Sequence, residues 1–251
     1  SMLETWDKAI AVTGKHLANI RQQKQVLLRS LLSGKRRFET LAGSWQHLDF
    51  DSLFERVTRK NKVGNTNVLT ISGQHGLISQ REYFNKNVAS ENLSGYTLLE
   101  RGEFAYNKSY SAGYPMGAIK PLLAYDVGVV SSLYLCFRIR EDVEADFDFF
   151  RHYFEAGFLD EEISGIAQEG ARNHGLLNVS IPDFFKLRLH IPPLPVQRKI
   201  AEVLNVAEHE ERACELQLEQ LRTEKRALMQ QLLTGKRRVR VPESEAEASP
   251  A

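Results

Sequence analysis

The side chains best suited to chemistry in this sequence are amides, histidines, tyrosines and cations in segments rich in glycine, asparagine and serine. They are Gln74, His75, Gln80, Asn107, Lys108, Ser109, Tyr110, Tyr114, Arg172, Asn173 and His174. Arginine or lysine recognises guanine edges in the major groove of DNA, and asparagine or glutamine recognises adenine edges. The residues therefore predict a DNA-reading surface. From the loops alone, one alternative stays open, because asparagine and glycine also form ordinary turns.

A second, basic group lies upstream of these loops and consists of Arg59, Lys60 and Lys62. Cations of this kind hold DNA phosphates, which orient a protein on the duplex without specifying a sequence. The net charge of the chain is only +1. Any attraction for nucleic acid must therefore come from a local patch.

No catalytic constellation accompanies these residues. The sequence has no GxxxxGK[ST] phosphate loop, no HExxH pair and no CxxC. The segment IPPLP (191–195) resembles the proline pair of adenine methyltransferases, but it lacks the preceding Asp or Asn that would bind the amino group. We therefore expect no bond-making activity, cofactor or metal in this chain alone. The alternative is an enzyme with an unrecognised site, which predicts turnover by the isolated chain.

Composition predicts a globular protein of the cytoplasm. Of the 251 residues, 42% are apolar and 26% are charged, which is ordinary for a soluble domain. The two cysteines, Cys136 and Cys214, form no disulfide framework and suit a reducing compartment. The sequence shows neither a run of about 18 apolar residues nor a signal-peptide pattern, so we expect no contact with a membrane.

One stretch of sequence occurs twice. Residues 20–38 read IRQQKQVLLRSLLSGKRRF, residues 221–239 read LRTEKRALMQQLLTGKRRV, and nine of nineteen positions match without a gap. The match indicates that one helical unit is used twice, with a different segment between the copies.

Apolar residues in both copies follow a heptad pattern, which predicts long helices at about Leu3–Ser33 and Val196–Thr234. Neither helix can bury its apolar stripe alone, and both are tethered to one globule, so we expect antiparallel pairing. The seam residues that would contact the other helix or a partner protein are Leu17, Ile20, Leu27, Leu31, Leu218, Leu221, Leu228 and Leu232.

The second seam is interrupted at Glu211. The matched Lys24 and Lys225 occupy polar seam positions in the two copies. Two interpretations stay open for these lysines. They fix the register or the choice of partner, or their long stems simply extend towards water.

The middle segment contains runs of β-branched and aromatic residues in place of the heptad pattern. It predicts strands at 68–72, 128–139 and 187–192, and a helix at 146–162. The phenylalanines of that helix are interpreted as core rather than as a stacking platform: Phe147, Phe150, Phe154 and Phe158. IPPLP is expected to form a rigid extended exit from this domain.

The predicted fold class is α+β, with one mixed α/β domain flanked by two long helices that form an antiparallel coiled coil. The predicted divisions are a spacer helix at 1–37, the globular domain at 38–195, a second spacer helix at 196–238 and a disordered tail at 239–251.

This arrangement resembles the specificity (S) subunit of type I restriction-modification systems. The resemblance is carried by the paired LLxGKRR helix ends, by WxxLxFxxLFERV at 45–57 and by IPPLPVQRKIAEVL at 191–204. GEFAYNKS (102–109) and LLNVSIPDF (176–184) also resemble the target-recognition domains of that family. The chain departs from the family pattern at Val196, where glutamate is usual.

The resemblance implies a non-catalytic subunit. In the family, each of two target-recognition domains reads half of a split DNA site, and two conserved helices set the spacing and bind two methyltransferase subunits. These subunits flip and methylate adenine, and a restriction subunit cleaves unmodified DNA. This chain has one such domain between two helices, which implies recognition of one half-site.

Two further possibilities concern assembly. A two-fold dimer of such chains would read a palindromic split site. Alternatively, the chain is a coiled-coil interaction protein or anti-restriction decoy, which binds methyltransferase subunits without reading DNA.

Overall fold

The computed structural model of the chain describes residues 2–39, 41, 43–73, 75–84, 92–169, 175 and 177–234. The chain divides into two compact units. One is drawn from Ser1–Leu27 and Asn205–Ala251, and the other is Leu28–Leu204. The globular unit thus includes the end of the first long helix and the beginning of the second.

Seven helices lie in the described residues. They are α1 (Met2–Leu32), α2 (Phe50–Leu53), α3 (Gln80–Phe84), α4 (Phe147–Glu155), α5 (Asp160–Ile166), α6 (Ile181–Phe185) and α7 (Leu194–Leu233). Helices α1 and α7 confirm the two long helices predicted from the heptad pattern.

Twelve short strands lie in the described residues, and their pairs are antiparallel. They are β1 (Gln46–Asp49), β2 (Phe54–Arg56), β3 (Leu69–Ser72), β4 (Gly76–Ser79), β5 (Thr97–Glu100), β6 (Phe104–Asn107), β7 (Ala118–Pro121), β8 (Val127–Val130), β9 (Leu135–Ile139), β10 (Gln168–Glu169), β11 (Leu177–Asn178) and β12 (Arg188–Ile191). The largest sheet has the order β2-β9-β6-β7, and the remaining pairs are β1-β12, β3-β4, β5-β8 and β10-β11.

Two predicted elements are each split in the structure. The strand predicted at 128–139 is wrong as a single element, because a turn in which the Tyr134 N–H donates to Ser131 O (3.0 Å) separates β8 from β9. The helix predicted at 146–162 is also wrong as one element. Gly157 adopts a φ of +74°, which the right-handed helix does not allow, so the chain turns between α4 and α5.

Aromatic rings form the centre of the globular unit. Phe50, Phe54, Phe104 and Phe137 are at most 1% exposed and make edge-to-face or stacked ring contacts. From α4, Phe150 and Phe154 are buried against Phe54. The half-buried members of the predicted set, Phe147 and Phe158, contact Phe104 and Tyr153. The prediction that these phenylalanines are core residues is confirmed for Phe150 and Phe154.

A buried glutamine stabilises the junction at IPPLP. The predicted extended exit is short, because β12 ends at Ile191 and α7 already begins at Leu194. Gln197 is 3% exposed; its amide nitrogen donates to Pro192 O (2.9 Å) and its amide oxygen accepts from the Asp146 N–H (3.0 Å). Asp146 in turn caps α4 by accepting from the Phe149 N–H (2.8 Å). One side chain therefore joins the start of α7 to the start of α4.

In the helical unit, α1 and α7 pair antiparallel. Leu17, Ile20, Cys214 and Leu218 form a buried cluster, against which Ile10 packs. Of the other predicted seam residues in this unit, Leu228 is buried, while Leu27, Leu221 and Leu232 are half-buried. Leu31 lies in the globular unit and is 1% exposed.

The polar seam residues pair with acids of the opposite helix. Lys24 Nζ lies 2.8 Å from Glu211 Oε2, and Arg21 Nε lies 2.9 Å from Glu211 Oε1. Lys225 pairs with Asp7. Burial alone would raise the pKa of Glu211, but the hydrogen bonds from Lys24 and Arg21 outweigh it and hold the pKa below its usual value. The pairing favours register fixing over simple extension of the lysine stems.

We expect the effects of charge reversal at Glu211 and at Lys24 to be coupled. Glu211→Lys should lower the free energy of unfolding by about 1 kcal/mol or more, because it places a third cation beside Lys24 and Arg21. The double change Glu211→Lys with Lys24→Glu should recover part of that loss. Urea unfolding of the two single variants and the double variant measures the coupling energy. Additive single effects would contradict a direct pair.

The paired strands β1 and β12 bring two histidines together. His47 lies directly opposite His190, with stacked rings 4.5 Å apart, and Trp45 lies 5.2 Å from the His190 ring. Burial, with smaller contributions from His47 and Arg37, lowers the pKa of His190. The unfolded chain therefore takes up a proton at this site at higher pH than the folded chain does.

The sign of that shift predicts loss of stability in mild acid. As the pH falls below about 6.5, the unfolded-state value for histidine, the unfolded chain gains protons first and the unfolding temperature should fall. His190→Gln should reduce this dependence, whereas His209→Gln, at an exposed position of α7, should not. Thermal unfolding of the three proteins at several pH values is the measurement. If the unfolding temperature depends on pH equally in all three proteins, His190 is not the cause of the dependence.

Candidate nucleic-acid interface

Several predicted DNA-reading residues surround one cavity of about 490 Å³ in the globular unit. Its lining comes from the β3–β4 hairpin, from α3 and from the segment between β6 and β7. The lining residues are Ile71, Ser72, Gly73, His75, Tyr83, Asn107, Ser109, Tyr110, Ser111, Ala112 and Ala118. Four of them, His75, Asn107, Ser109 and Tyr110, were predicted from the sequence.

The β3–β4 hairpin presents His75 at its turn. The His75 N–H donates to the Ser72 hydroxyl (3.3 Å), and Gly76 follows with a φ of +72°. A positive φ is readily adopted by glycine, so the chain reverses sharply and β4 returns along β3. His75 remains exposed.

The segment after β6 is held by its own side chains. The Asn107 carboxamide oxygen accepts from the Ser109 N–H (3.2 Å), a local bond typical of asparagine in turns. Ser111 and Tyr114 exchange backbone hydrogen bonds of 3.3 and 2.9 Å. Gly117 closes the segment with a φ of +80°, and a Cβ at that position would lie 2.3 Å from Asn107 O. The close approach of this segment to the Asn107 carbonyl therefore requires glycine at position 117.

Gly175 and Leu177 bond to the segment that follows β6. The Tyr110 N–H donates to Gly175 O (2.7 Å), and the Leu177 N–H donates to Lys108 O (2.9 Å). Gly175 and Leu177 follow the predicted residues Arg172, Asn173 and His174 in the sequence. Those three residues, like Gln74, lie outside the described part of the chain.

Two tyrosines give the cavity an aromatic rim. Tyr110 is 64% exposed and Tyr83 is 51% exposed. Sequence reasoning identified Tyr110 but missed Tyr83, together with Ser72 and Ser111. Tyr83 lies in the short helix α3, which directly follows a strand, and only the position of that helix beside the loop could have revealed it.

Tyr114 was predicted to contact DNA, but its hydroxyl bonds within the protein. It lies 2.7 Å from Glu155 Oε1 and 3.1 Å from Gly73 O, and it accepts from Lys120 Nζ at 2.7 Å. Burial, and then the charge of Glu155, raises the pKa of Tyr114, so the phenol keeps its proton. Gln80 starts α3, and its side-chain oxygen is buried with no hydrogen-bond partner in the described part of the chain.

The basic group does not line the cavity. Arg59 donates to both carboxylate oxygens of Glu103 (2.8 and 2.7 Å), and Glu103 is 4% exposed. Lys60 Nζ donates to Gly95 O (2.9 Å), and Lys62 is exposed. A phosphate at Arg59 would compete with a buried carboxylate.

Over the described residues, no group of three or more histidine, cysteine or carboxylate side chains is arranged to hold a metal ion. None of the helices there combines the length and apolar character that crossing a membrane requires.

Comparison with solved structures decides the fold. The HsdS subunit from Thermoanaerobacter tengcongensis superposes with a TM-score of 0.51 and 12% sequence identity, covering 92% of this chain and 55% of that one. The type I restriction-modification S subunit from M. genitalium gives a TM-score of 0.54 and 13% identity, covering 90% of this chain and 57% of that one. The chain has the S-subunit fold.

This finding confirms the predicted α+β class with a long helix on each side of the globular unit. The chain spans just over half the length of the two S subunits that it matches. No family model matches the sequence, and no curated protein does.

Two glycines of the segment between β6 and β7 offer a matched test of its geometry. Gly117→Ala should destabilise the unit by about 2 kcal/mol or more, because it adds a clash with the Asn107 carbonyl to the cost of a positive φ. Gly113 has a φ of +87° but open space around its Cβ position, so Gly113→Ala should cost only about 1 kcal/mol. Denaturant unfolding measures the free energy of unfolding of both variants. An equal loss in the two would show that the approach of the new Cβ to the Asn107 carbonyl adds no cost.

Proposed function

We propose that this chain is a DNA-specificity subunit that directs methyltransferase subunits, and through them a restriction subunit, to one half of a split site. The observation that carries the proposal is the architecture. One α/β unit with a polar cavity is inserted between two sequence-repeated helices that pair antiparallel, in the fold of S subunits.

In this proposal, the loops around the cavity contact base edges. The Asn107 carboxamide oxygen is engaged by Ser109, and its nitrogen offers two donors that complement a base acceptor such as purine N7. His75, Ser109 and Tyr110 supply further donors and acceptors beside it. Gln74, Gln80 and the Arg172–His174 loop are proposed to extend the same surface.

Phosphate contacts are proposed for cations outside the cavity. Lys62 and Lys108 suit this role best among the predicted residues, because Arg59 and Lys60 are engaged with Glu103 and Gly95. Phosphate contacts would add affinity that falls with salt but would not alter the sequence preference.

The helical unit is proposed to bind the methyltransferase. Its outer surface exposes large apolar side chains, of which Val12 is 67% exposed, Val26 61% and Leu216 73%. Apolar residues that helix pairing leaves in water are suited to a further helix from a partner. The chain itself then contributes no catalysis, and two copies in a two-fold dimer would read a palindromic split site.

The experiment combines assembly with sequence selection. Light scattering after gel filtration, on this chain with a type I methyltransferase subunit, should give a complex of defined stoichiometry. The complex is then used to select duplexes from a library of random sequence. Enrichment of one half-site supports the proposal. A complex without any preference would instead favour the decoy, and turnover by the isolated chain would favour an enzyme.

Asn107→Ala is expected to relax the selected sequence at one position by about tenfold, because a good amide–base pair is worth roughly 1–3 kcal/mol of discrimination. Arg172→Ala should relax the selected sequence at a different position, and binding to the methyltransferase should be unchanged. Asn19→Ala, which removes an exposed amide on α1, is the control and should select the wild-type site. An unaltered selection in both loop variants would remove these loops from the proposed interface.

A further inference from the structure

Lys120 is a buried cation that none of the proposed DNA contacts uses. It lies on β7 and is 6% exposed, although lysine is rarely buried without a partner. Its ammonium group donates to Tyr114 Oη (2.7 Å) and Gly73 O (3.2 Å), and it forms an ion pair with Glu155. All three ammonium hydrogens therefore have an acceptor.

Tyr114 reinforces the same junction. Its hydroxyl accepts from Lys120 and lies within hydrogen-bonding distance of both Glu155 and Gly73 O. The ammonium group also lies 4.6 Å from the centroid of the Tyr114 ring, in a cation–π contact. A Cβ on Gly73 would come within 3.0 Å of that ring, so the glycine permits the close approach.

The junction joins three elements that are distant in sequence. Gly73 belongs to the β3–β4 turn that carries His75. Tyr114 belongs to the segment that carries Asn107, Ser109 and Tyr110. Glu155 ends α4. The first two elements both contribute residues to the cavity lining, so the three side chains hold these two parts of the lining together.

We propose that Lys120, Tyr114 and Glu155 form a positioning group that determines which half-site the chain selects, although none of the three contacts DNA. This inference rests on the proposed function. Lys120 is buried whereas the Glu155 side chain is 42% exposed, so an alternative arrangement would leave the buried ammonium group without its carboxylate, which is costly. Displacement of one part of the lining would move donors relative to base edges and change discrimination rather than overall affinity.

The first arm of the test needs no DNA. Hydrogen exchange is measured on the full chain for wild type, Lys120→Met, Tyr114→Phe and Glu155→Gln. Amides of the β3–β4 hairpin and of the segment between β6 and β7 should exchange at least about tenfold faster in the variants, because the bonds between these two parts of the lining are lost. Arg138→Met, which breaks the ion pair with Glu55 between β9 and β2, is the control and should leave exchange in both parts unchanged. Unchanged exchange of both parts in the three variants would overturn the inference.

The second arm repeats the random-duplex selection on the methyltransferase complex. Tyr114→Phe and Glu155→Gln, which preserve shape, should reduce the ratio of affinities for the preferred half-site and singly substituted sites by about tenfold, and Arg138→Met should not. A uniform loss of affinity for all duplexes would indicate a merely structural role and would overturn the inference. An unchanged half-site preference in the variants would also overturn the inference, but it would leave the proposed function intact. If the wild-type complex itself shows no preference, the proposed function and the inference both fail.

Discussion

The pairing of β1 with β12 is the constraint on which the rest of the architecture depends. It aligns Gln46 with Ile191 and thereby holds together the segment that follows α1 and the segment that precedes α7. Gln197 secures the second of these segments through Pro192 and the start of α4. Within the helical unit, α1 and α7 run in opposite directions and bury one shared seam.

Polar bonds that each have one buried partner organise the remainder of the globular unit. The aromatic core supplies non-directional stabilisation, which tolerates small shifts between elements. The bonds from Glu103 to Arg59, from Lys120 to Glu155 and from Gln197 to its two partners have fixed geometry. They join segments far apart in sequence, and the Lys120 contact with Gly73 connects one of them to the cavity lining.

The sequence predicted the long elements well and the local breaks poorly. The heptad pattern was sufficient for α1 and α7, since their apolar spacing persists over many turns. The apolar run 128–139 concealed the turn at Ser131, because Leu133 lies in that turn at the surface and is 69% exposed. For the site, residue types located the loops around Asn107 and His75. They could not reveal that Tyr114 and Arg59 bond inward, because Glu155 and Glu103 meet them only after folding.

The ion pairs of the helical unit bear on how the two repeated helices diverged after duplication. With the offset of 201 that aligns Arg21 with Arg222, the counterpart of Glu211 in α1 is Ile10, and the counterpart of Asp7 in α7 is Glu208. Two α1 helices paired in the same register would set Lys24 against isoleucine rather than glutamate. The Lys24 pair therefore distinguishes the two helices, whereas the acid opposite Lys225 has an acidic counterpart, Glu208, in the other copy. Replacing α7 by a second copy of the α1 sequence would preserve the heptads and still remove the Lys24–Glu211 pair.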